Sequence, residues 1–455
     1  MALGSRWRRR WIAVVVTPLA GALLSGCLGT SLPNIDAVSK EPSETISGSV
    51  AESLIQAGFA SHDPDYRIHK AIFYPRLKAL AGKLAAAQVA GNDMACSNQM
   101  YLEAQWLFQY ATEWERLDRK LVQLDESLRD RDQAFVRRQS PETHLWGACY
   151  EEWFSQGEDA LAWLDKFYEE DRAPTYGIQM PPRIATPAKM AAYIDSLVIS
   201  DIAATGRDNR EELANITTSL SRVFFKEHFH QFLLRRVAPR GAERQEYGPR
   251  GYVTIYEDFI RRWQDSQTGY WGAWYRVNGR IYKTPDLSMT YHIIAYRNGE
   301  VAYWPQIIDT TLRIKDDPYP FGWVHDGHFV NHNNYDVVRI LKLGWPHMSP
   351  RQKSSAAAAI RDMLDWTLNN SLDPDGSFKL DLTFFSSIAA EYYFGIAFLD
   401  EAGYWDRGKR FWTEETFPNS GAICRLVRAR LLRSGLQDFQ ALHALQRLDQ
   451  HCGQM

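Results

Sequence analysis

Read by the spacing of its apolar positions, the chain divides into three parts. An apolar run from Trp11 to Leu24 follows Arg6, Arg8, Arg9 and Arg10. A cationic start before a short apolar segment has the form of a secretory signal, and the run is too short to stay behind as a membrane span. From Glu52 to about Arg138, apolar residues return every three or four positions with charges between them, as in MYLEAQWLFQYATEWERLDRKLVQLDESL. That period predicts amphipathic helices. The Pro-rich stretch APTYGIQMPPRIATP, 173 to 187, breaks the pattern, and further helices are expected as far as Leu234. VAPRGAERQEYGPRGY, 237 to 252, is the best internal boundary.

Beyond that boundary the pattern repeats. A polar turn with glycine and an aromatic comes first, then a loop, then an unusually apolar helix. The turns are DSQTGYWGAW (265 to 274), HDGHF (325 to 329) and DPDGSF (373 to 378), and Gly269, Gly327 and Gly376 lie 58 and 49 residues apart. This spacing suits one helical hairpin per unit. PDLSMTYHIIAYRNG, NNYDVVRILKLGW and SSIAAEYYFGIAFLDEAG are apolar on nearly every side, which predicts buried helices. SSAAAAIRDMLDWTLNNSL instead keeps Ile360, Met363, Leu364, Thr367 and Leu368 on one stripe, the pattern of an outer helix.

Outer amphipathic and inner apolar helices that alternate, joined by glycine-aromatic turns, resemble the (α/α) toroid of polysaccharide lyases, unsaturated glucuronyl hydrolases, other glycosidases and terpene cyclases. The resemblance rests on TGYWGAWY, DGSF and the helices that follow, and covers about residues 250 to 410. It implies an all-α fold: a toroid of hairpins over 241 to 455, with an N-terminal helical region, 49 to 240, that extends it or forms one domain with it. Such turns mark architecture more than activity. Leu24-Ser25-Gly26-Cys27 resembles the lipobox of bacterial lipoproteins, in which the chain is cut before the cysteine and the cysteine carries the lipid. On that likeness residues 1 to 26 are the signal, Cys27 is lipidated, and 27 to 48 form a tether rich in Ser, Pro, Gly and Thr. Leu28, in place of Asp, implies the outer membrane, facing the periplasm or the cell surface. An ordinary cleaved signal with an incidental cysteine is the alternative.

Loss of residues 1 to 26 removes four of 52 Lys+Arg and none of 55 Asp+Glu, leaving 48 against 55 and a formal charge of −7. Mild acidity argues against a nucleic-acid partner, which selects a basic surface. With 16 Trp in the chain, part of the aromatic excess suits a groove that stacks sugar rings, although core packing is the plainer use of any one Trp. Cys96, Cys149, Cys424 and Cys452 remain after lipidation, an even number in a compartment that permits disulfides. Proximity pairs 96 with 149 and 424 with 452.

The candidate chemistry lies where inner helices begin. HDGHFVNHNNYDVVRIL, 325 to 341, gathers His325, His328 and His332 with Asn331, Asn333 and Asn334. Asn333 or Asn334 can cap a helix starting near Tyr335, and solvated loop side chains account for the rest without any function. β-Elimination on a uronic-acid polysaccharide needs neutralisation of the sugar carboxylate, a base for the C5 proton and an acid for the leaving oxygen. Toroid lyases use Asn or Arg for the first task and His and Tyr for the others. The resemblance therefore implies Asn333, Asn334 and Arg339 at the carboxylate, His332 or His292 as base, and Tyr335 or Tyr291 as proton donor. Trp271, Trp274, Asp286 and Asp326 are expected along the substrate path. His292, alone in an apolar helix, reads equally as a core residue.

Glycoside hydrolysis is the alternative. Glu391 is the single charge in SSIAAEYYFGIAFL; burial would raise its pKa toward that of a general acid, with Asp286, Asp326 or Asp336 as partner. A structural ion pair explains it as well. A third reading places zinc on His325, His328 and His332, with His228 and His230 as further ligands; otherwise no cofactor is expected. No DxDD or Asp-rich motif supports terpene cyclisation. A lipoprotein that binds glycans or assists envelope assembly without turnover is the non-enzymatic alternative. Replacing the lipobox cysteine, Cys27→Ser, is expected to abolish incorporation of labelled palmitate and to release the protein from the membrane fraction, and label retained by the variant would refute the lipobox.

Overall fold

The computed structural model describes residues 42–92, 94–129, 182–225, 249–380, 387–436 and 439–452, with positions 35, 138–142, 144–146, 149, 151, 163, 175 and 176 besides. The signal, Cys27, His228, His230 and most of the expected boundary at 237 to 252 lie outside the described residues.

Helices dominate, as the apolar periods predict. The N-terminal part holds α1 (Gly48–His62), α2 (Tyr66–Val89), α3 (Ala95–Tyr110) and α4 (Trp114–Ser127). The last three pack around Leu84, Leu107, Leu117 and Leu121, and a disulfide joins Cys96 to Cys149. There follow α5 (Pro187–Leu197), α6 (Ile202–Thr205), α7 (Arg210–Phe225), α8 (Pro249–Trp263), α9 (Leu287–Tyr296) and α10 (Trp304–Arg313). The chain continues through α11 (Asn331–Gly344), α12 (Pro350–Trp366), α13 (Ile388–Glu401), α14 (Ser420–Ser434) and α15 (Phe439–Cys452).

Five of these, α7, α9, α11, α13 and α15, pack side by side in that order. Each buries apolar residues on several sides: Ile293 and Ile294 on α9, Val337, Ile340 and Leu341 on α11, Ile396, Phe398 and Leu399 on α13. Removing one such side chain from water stabilises by about 1.5–3 kcal/mol, so this row is the core of the molecule. Behind it lie α5, α10, α12 and α14, with α8 against α5. α12 buries Ala356, Ile360, Met363 and Leu364 on a single stripe, as expected of an outer helix. The glycines of the three expected turns have φ of 72°, 78° and 86°, a region that costs other residues dearly. At Gly269 an added Cβ would also stand 2.8 Å from the Ile307 nitrogen. A toroid would join the two ends of this row; the described residues show the row. Its last member is fastened by the Cys424–Cys452 disulfide, the second of the two pairings expected from proximity, and by Asp400 on α13, which holds Arg447 and His451 of α15 at 3.0 and 2.7 Å.

Three features differ from the sequence reading. A four-stranded sheet is present, in the order β1-β4-β3-β2 (Ser43–Thr45, Arg280–Lys283, Trp274–Val277, Ile199–Ser200). Its hairpin turns at Asn278 and Gly279, with φ of 50° and 75°, which is the Asn-Gly signal for a two-residue hairpin. The expected tether, 27 to 48, is not free along its length, because Ile35 is buried in the main core and β1 pairs in parallel with β4. Finally, α11 starts at Asn331 after an extended Val330, and no side chain caps it.

One interaction sets the start of the row. Asp286 accepts the Met289 backbone N–H at 2.8 Å, capping α9, and both its oxygens receive Arg210 of α7, at 2.7 and 3.2 Å. Both side chains are shut away from water. Asp286→Ala removes the cap and leaves a buried guanidinium without its main partner, so it is expected to cost about 3–5 kcal/mol, read from the urea unfolding midpoint; a loss below 1 kcal/mol would contradict it.

Candidate functional site

Helical spacing decides which side chains the inner row turns toward a common hollow. On α11, His332, Tyr335 and Arg339 follow at i, i+3 and i+7, one stripe. On α9, Ser288, His292 and Tyr296 are four apart. On α7 the stripe runs Glu211, Asn215, Thr218 and Arg222, about 16 Å from end to end. These stripes meet. Tyr291 and Tyr335 meet edge to face with ring centroids 5.6 Å apart, and the His292 ring stacks on Tyr296 at 5.7 Å. His332 meets Phe394 of α13 edge-on at 4.4 Å and Tyr319, from the loop before α11, at 5.5 Å. Arg447 of α15 lies 6.0 Å over the Tyr335 ring, and Arg222 faces both His292 and Tyr393.

The N-terminal helices cover a cavity that adjoins this cluster at His292 and Tyr319. This cavity of about 690 Å³ lies between α1, α2 and α3 on one side and α7 and α9 on the other, lined by Lys70, Glu103, Trp106, Arg210, His292 and Tyr319 among others. The volume suits a ligand of one or two sugar rings by comparison with common small-molecule sites. His292 lies deep in the protein yet keeps some accessible surface because it lines this cavity.

The groups of this cluster are enclosed by protein, and burial shifts their titration. Burial pulls His292 down to about 3, helped by His332 and nearby arginines, and pulls His332 down to about 4. Burial pushes Tyr291 and Tyr319 up, with Asp336 adding to each shift. Burial, then repulsion from Asp286, also pushes Asp336 well above the carboxylate range. Asp336 is fully buried, neither of its oxygens has a hydrogen-bond partner among the described residues, and one stands 3.8 Å from His332 Nδ1. In the cavity, burial brings Lys70 down to about 7 and Asp208 up to about 6. At neutral pH the hollow therefore presents neutral imidazoles, phenols that keep their protons, and guanidiniums. Two of the guanidiniums are partly compensated: Arg339 pairs with Glu401, and Arg447 with Asp400.

Of the residues singled out from sequence, His292, Tyr291, His332, Tyr335 and Arg339 come together. The others have different settings. Asn333 donates to the Trp323 carbonyl at 2.8 Å and Asn334 to Thr367 Oγ1 at 3.3 Å. With Asn331, bonded to Ser371 and Thr367 at 2.7 and 3.1 Å, they fasten α11 to its surroundings instead of capping it, and the two turn away from a sugar carboxylate. Trp271 is a core residue whose Nε1 donates to the Ile260 carbonyl, and Trp274 is buried in β3 beneath Lys283; neither offers a face to a sugar. Asp286 is the ion-paired cap. Asp326 is an exposed turn residue with φ of 48°. Glu391 is buried in the first turn of α13, and the α13 side chains that meet His332 and Tyr335 are Tyr393 and Phe394. His325 and His328 bond to each other through their backbones, and no three His, Cys, Asp or Glu among the described residues are grouped to hold a metal ion, which removes the zinc set His325, His328 and His332. No helix among the described residues is long and apolar enough to cross a membrane.

Sequence reasoning passed over Arg222, Tyr319, Tyr393, Arg447 and Lys70. Only Arg222 had a signal, the stripe of polar residues at helical spacing on α7.

The unfolded chain protonates a histidine near 6.5, whereas folded His292 and His332 resist protonation until about 3 and 4. Stability contributed by their neutral forms is present above 6.5 and lost as pH falls toward 4; Asp336, which keeps its proton when folded, works in the opposite sense. The thermal midpoint is expected to fall between pH 6.5 and 4, and His292→Phe with His332→Phe is expected to flatten that fall. An unchanged slope in the double variant would place the loss elsewhere. Compared with known proteins, the chain matches no family model, and no curated protein or solved structure is significantly similar to it.

Proposed function

We propose that the protein is an envelope-anchored polysaccharide lyase that cleaves an acidic glycan by β-elimination, its inner row completed to an (α/α) toroid and its lipid on Cys27 holding it at the outer membrane. The observation that carries this reading is the meeting of His332, Tyr335 and Arg339 on one stripe with His292, Arg222 and Arg447 from neighbouring helices. Guanidiniums supply the charge that neutralises a uronate carboxylate and so acidifies the C5 proton. His332, neutral at rest, accepts that proton; the C5–H electron pair forms the C4–C5 double bond as the C4–O bond breaks. Tyr335 gives its proton to the departing oxygen. A histidine held near 4 is a weak base, but a bound carboxylate beside it favours the protonated form and restores its strength. Tyr296, Tyr393 and Phe394 offer ring faces to the sugar. Formal acidity of the mature chain leaves nucleic acid an unsuitable partner.

Glycoside hydrolysis is the second reading, and one observation favours it. Asp208, which burial brings up to about 6, lines the same cavity as Glu211, so two carboxyl groups border one space, as hydrolysis requires.

The protein lacking residues 1 to 27, incubated with polyuronates and alternating uronate-hexosamine glycans, is expected to release products that absorb as unsaturated uronates in step with new reducing ends. His332→Ala and Tyr335→Phe should each lower kcat by about 10²-fold or more. Reducing ends without the absorbance would establish hydrolysis instead. Binding with no product on any glycan would point to a carrier or assembly protein.

A further inference from the structure

Asn333 lies beside the proposed base and has a role there that does not involve touching substrate. The carbonyl of Trp323 can only accept a hydrogen bond, so the Asn333 group 2.8 Å from it is the amide nitrogen. The amide is thereby fixed in orientation, and its oxygen is the atom that faces His332 Nδ1, at 3.2 Å. An amide oxygen also only accepts. The proton of the neutral ring must then sit on Nδ1, and the lone pair is left on Nε2.

We propose that Asn333 is a positioning residue that holds His332 in its Nδ1–H tautomer, so that Nε2 is the atom which takes a proton from substrate. The relay runs from the Trp323 carbonyl through the Asn333 amide to the imidazole, and all of Asn333 is buried. The Asp336 carboxyl, 3.8 Å from the same Nδ1, adds a second acceptor on that side once the ring becomes cationic. His292 from α9, Tyr319 from the preceding loop and the uncharged Phe394 from α13 also face His332. The tautomer stands on geometry alone, and its catalytic use rests on the lyase reading.

Histidine labelled with ¹⁵N in the mature chain reports the tautomer without any substrate. At pH 7 the wild type is expected to show His332 as the Nδ1–H form. Asn333→Leu, which removes the acceptor, should turn it to a mixture or to Nε2–H, and Asn333→Asp, which keeps an oxygen there, should preserve Nδ1–H and raise the pH at which the ring titrates. A wild-type Nε2–H ring, or a tautomer unmoved in a folded Asn333→Leu variant, would overturn the proposal. Where a uronate polymer is cleaved, Asn333→Leu should lower kcat about tenfold or more with KM little changed, and Asn333→Asp should recover part of that loss with a shifted acid limb of the pH profile. Should no glycan be cleaved, the lyase reading fails while the tautomer measurement still decides the positioning role.

Discussion

A guanidinium and a carboxylate sealed from water fix the geometry on which the hollow depends. Arg210 opens α7 and Asp286 caps α9, so the pair sets the height of one inner helix against the next. Charges buried this deeply are tolerated only with close partners, and here Asp286 has two duties, to the Arg210 side chain and to the first turn of its own helix. If that height shifted, the α7 stripe ending at Arg222 would no longer face His292 on α9. The register of the stripes is therefore an electrostatic matter at the start of the row and an apolar one along the rest of it.

The hollow shows the opposite economy. Its polar side chains are kept from water but only partly matched: His292 Nδ1 and both oxygens of Asp336 have no hydrogen-bond partner among the described residues. An interior assembled for stability alone would fill those positions with apolar groups. Of these residues, His292 lines the cavity of about 690 Å³. The N-terminal helices share in this, because Lys70, Glu103 and Trp106 form the far wall. The region that reads in sequence as an extension thus takes part in the site.

Local signals and distant ones had unequal legibility. The outer stripe of α12, the three glycine turns and the His332, Tyr335 and Arg339 alignment all depend on residues a few positions apart, and periodicity alone exposes them. The Asn-Gly of the β3–β4 hairpin was equally local, but its aromatic neighbours resembled a turn between helices. Asn331, Asn333 and Asn334 were illegible for a different reason: their partners, Trp323, Thr367 and Ser371, lie on a loop and on the far end of an outer helix, and nothing in spacing connects them. Arg447 is likewise one cation among many on an amphipathic helix until packing brings it over Tyr335. Trp271 illustrates the converse error, a large aromatic beside a turn that satisfies its nitrogen within the core.

Ile35 is nearly inaccessible and belongs to the same apolar cluster as the inner row. Further along, β1 pairs with β4, so the stretch ahead of α1 is fastened to the body at two described points, and cutting it away would lay bare apolar surface of the main core.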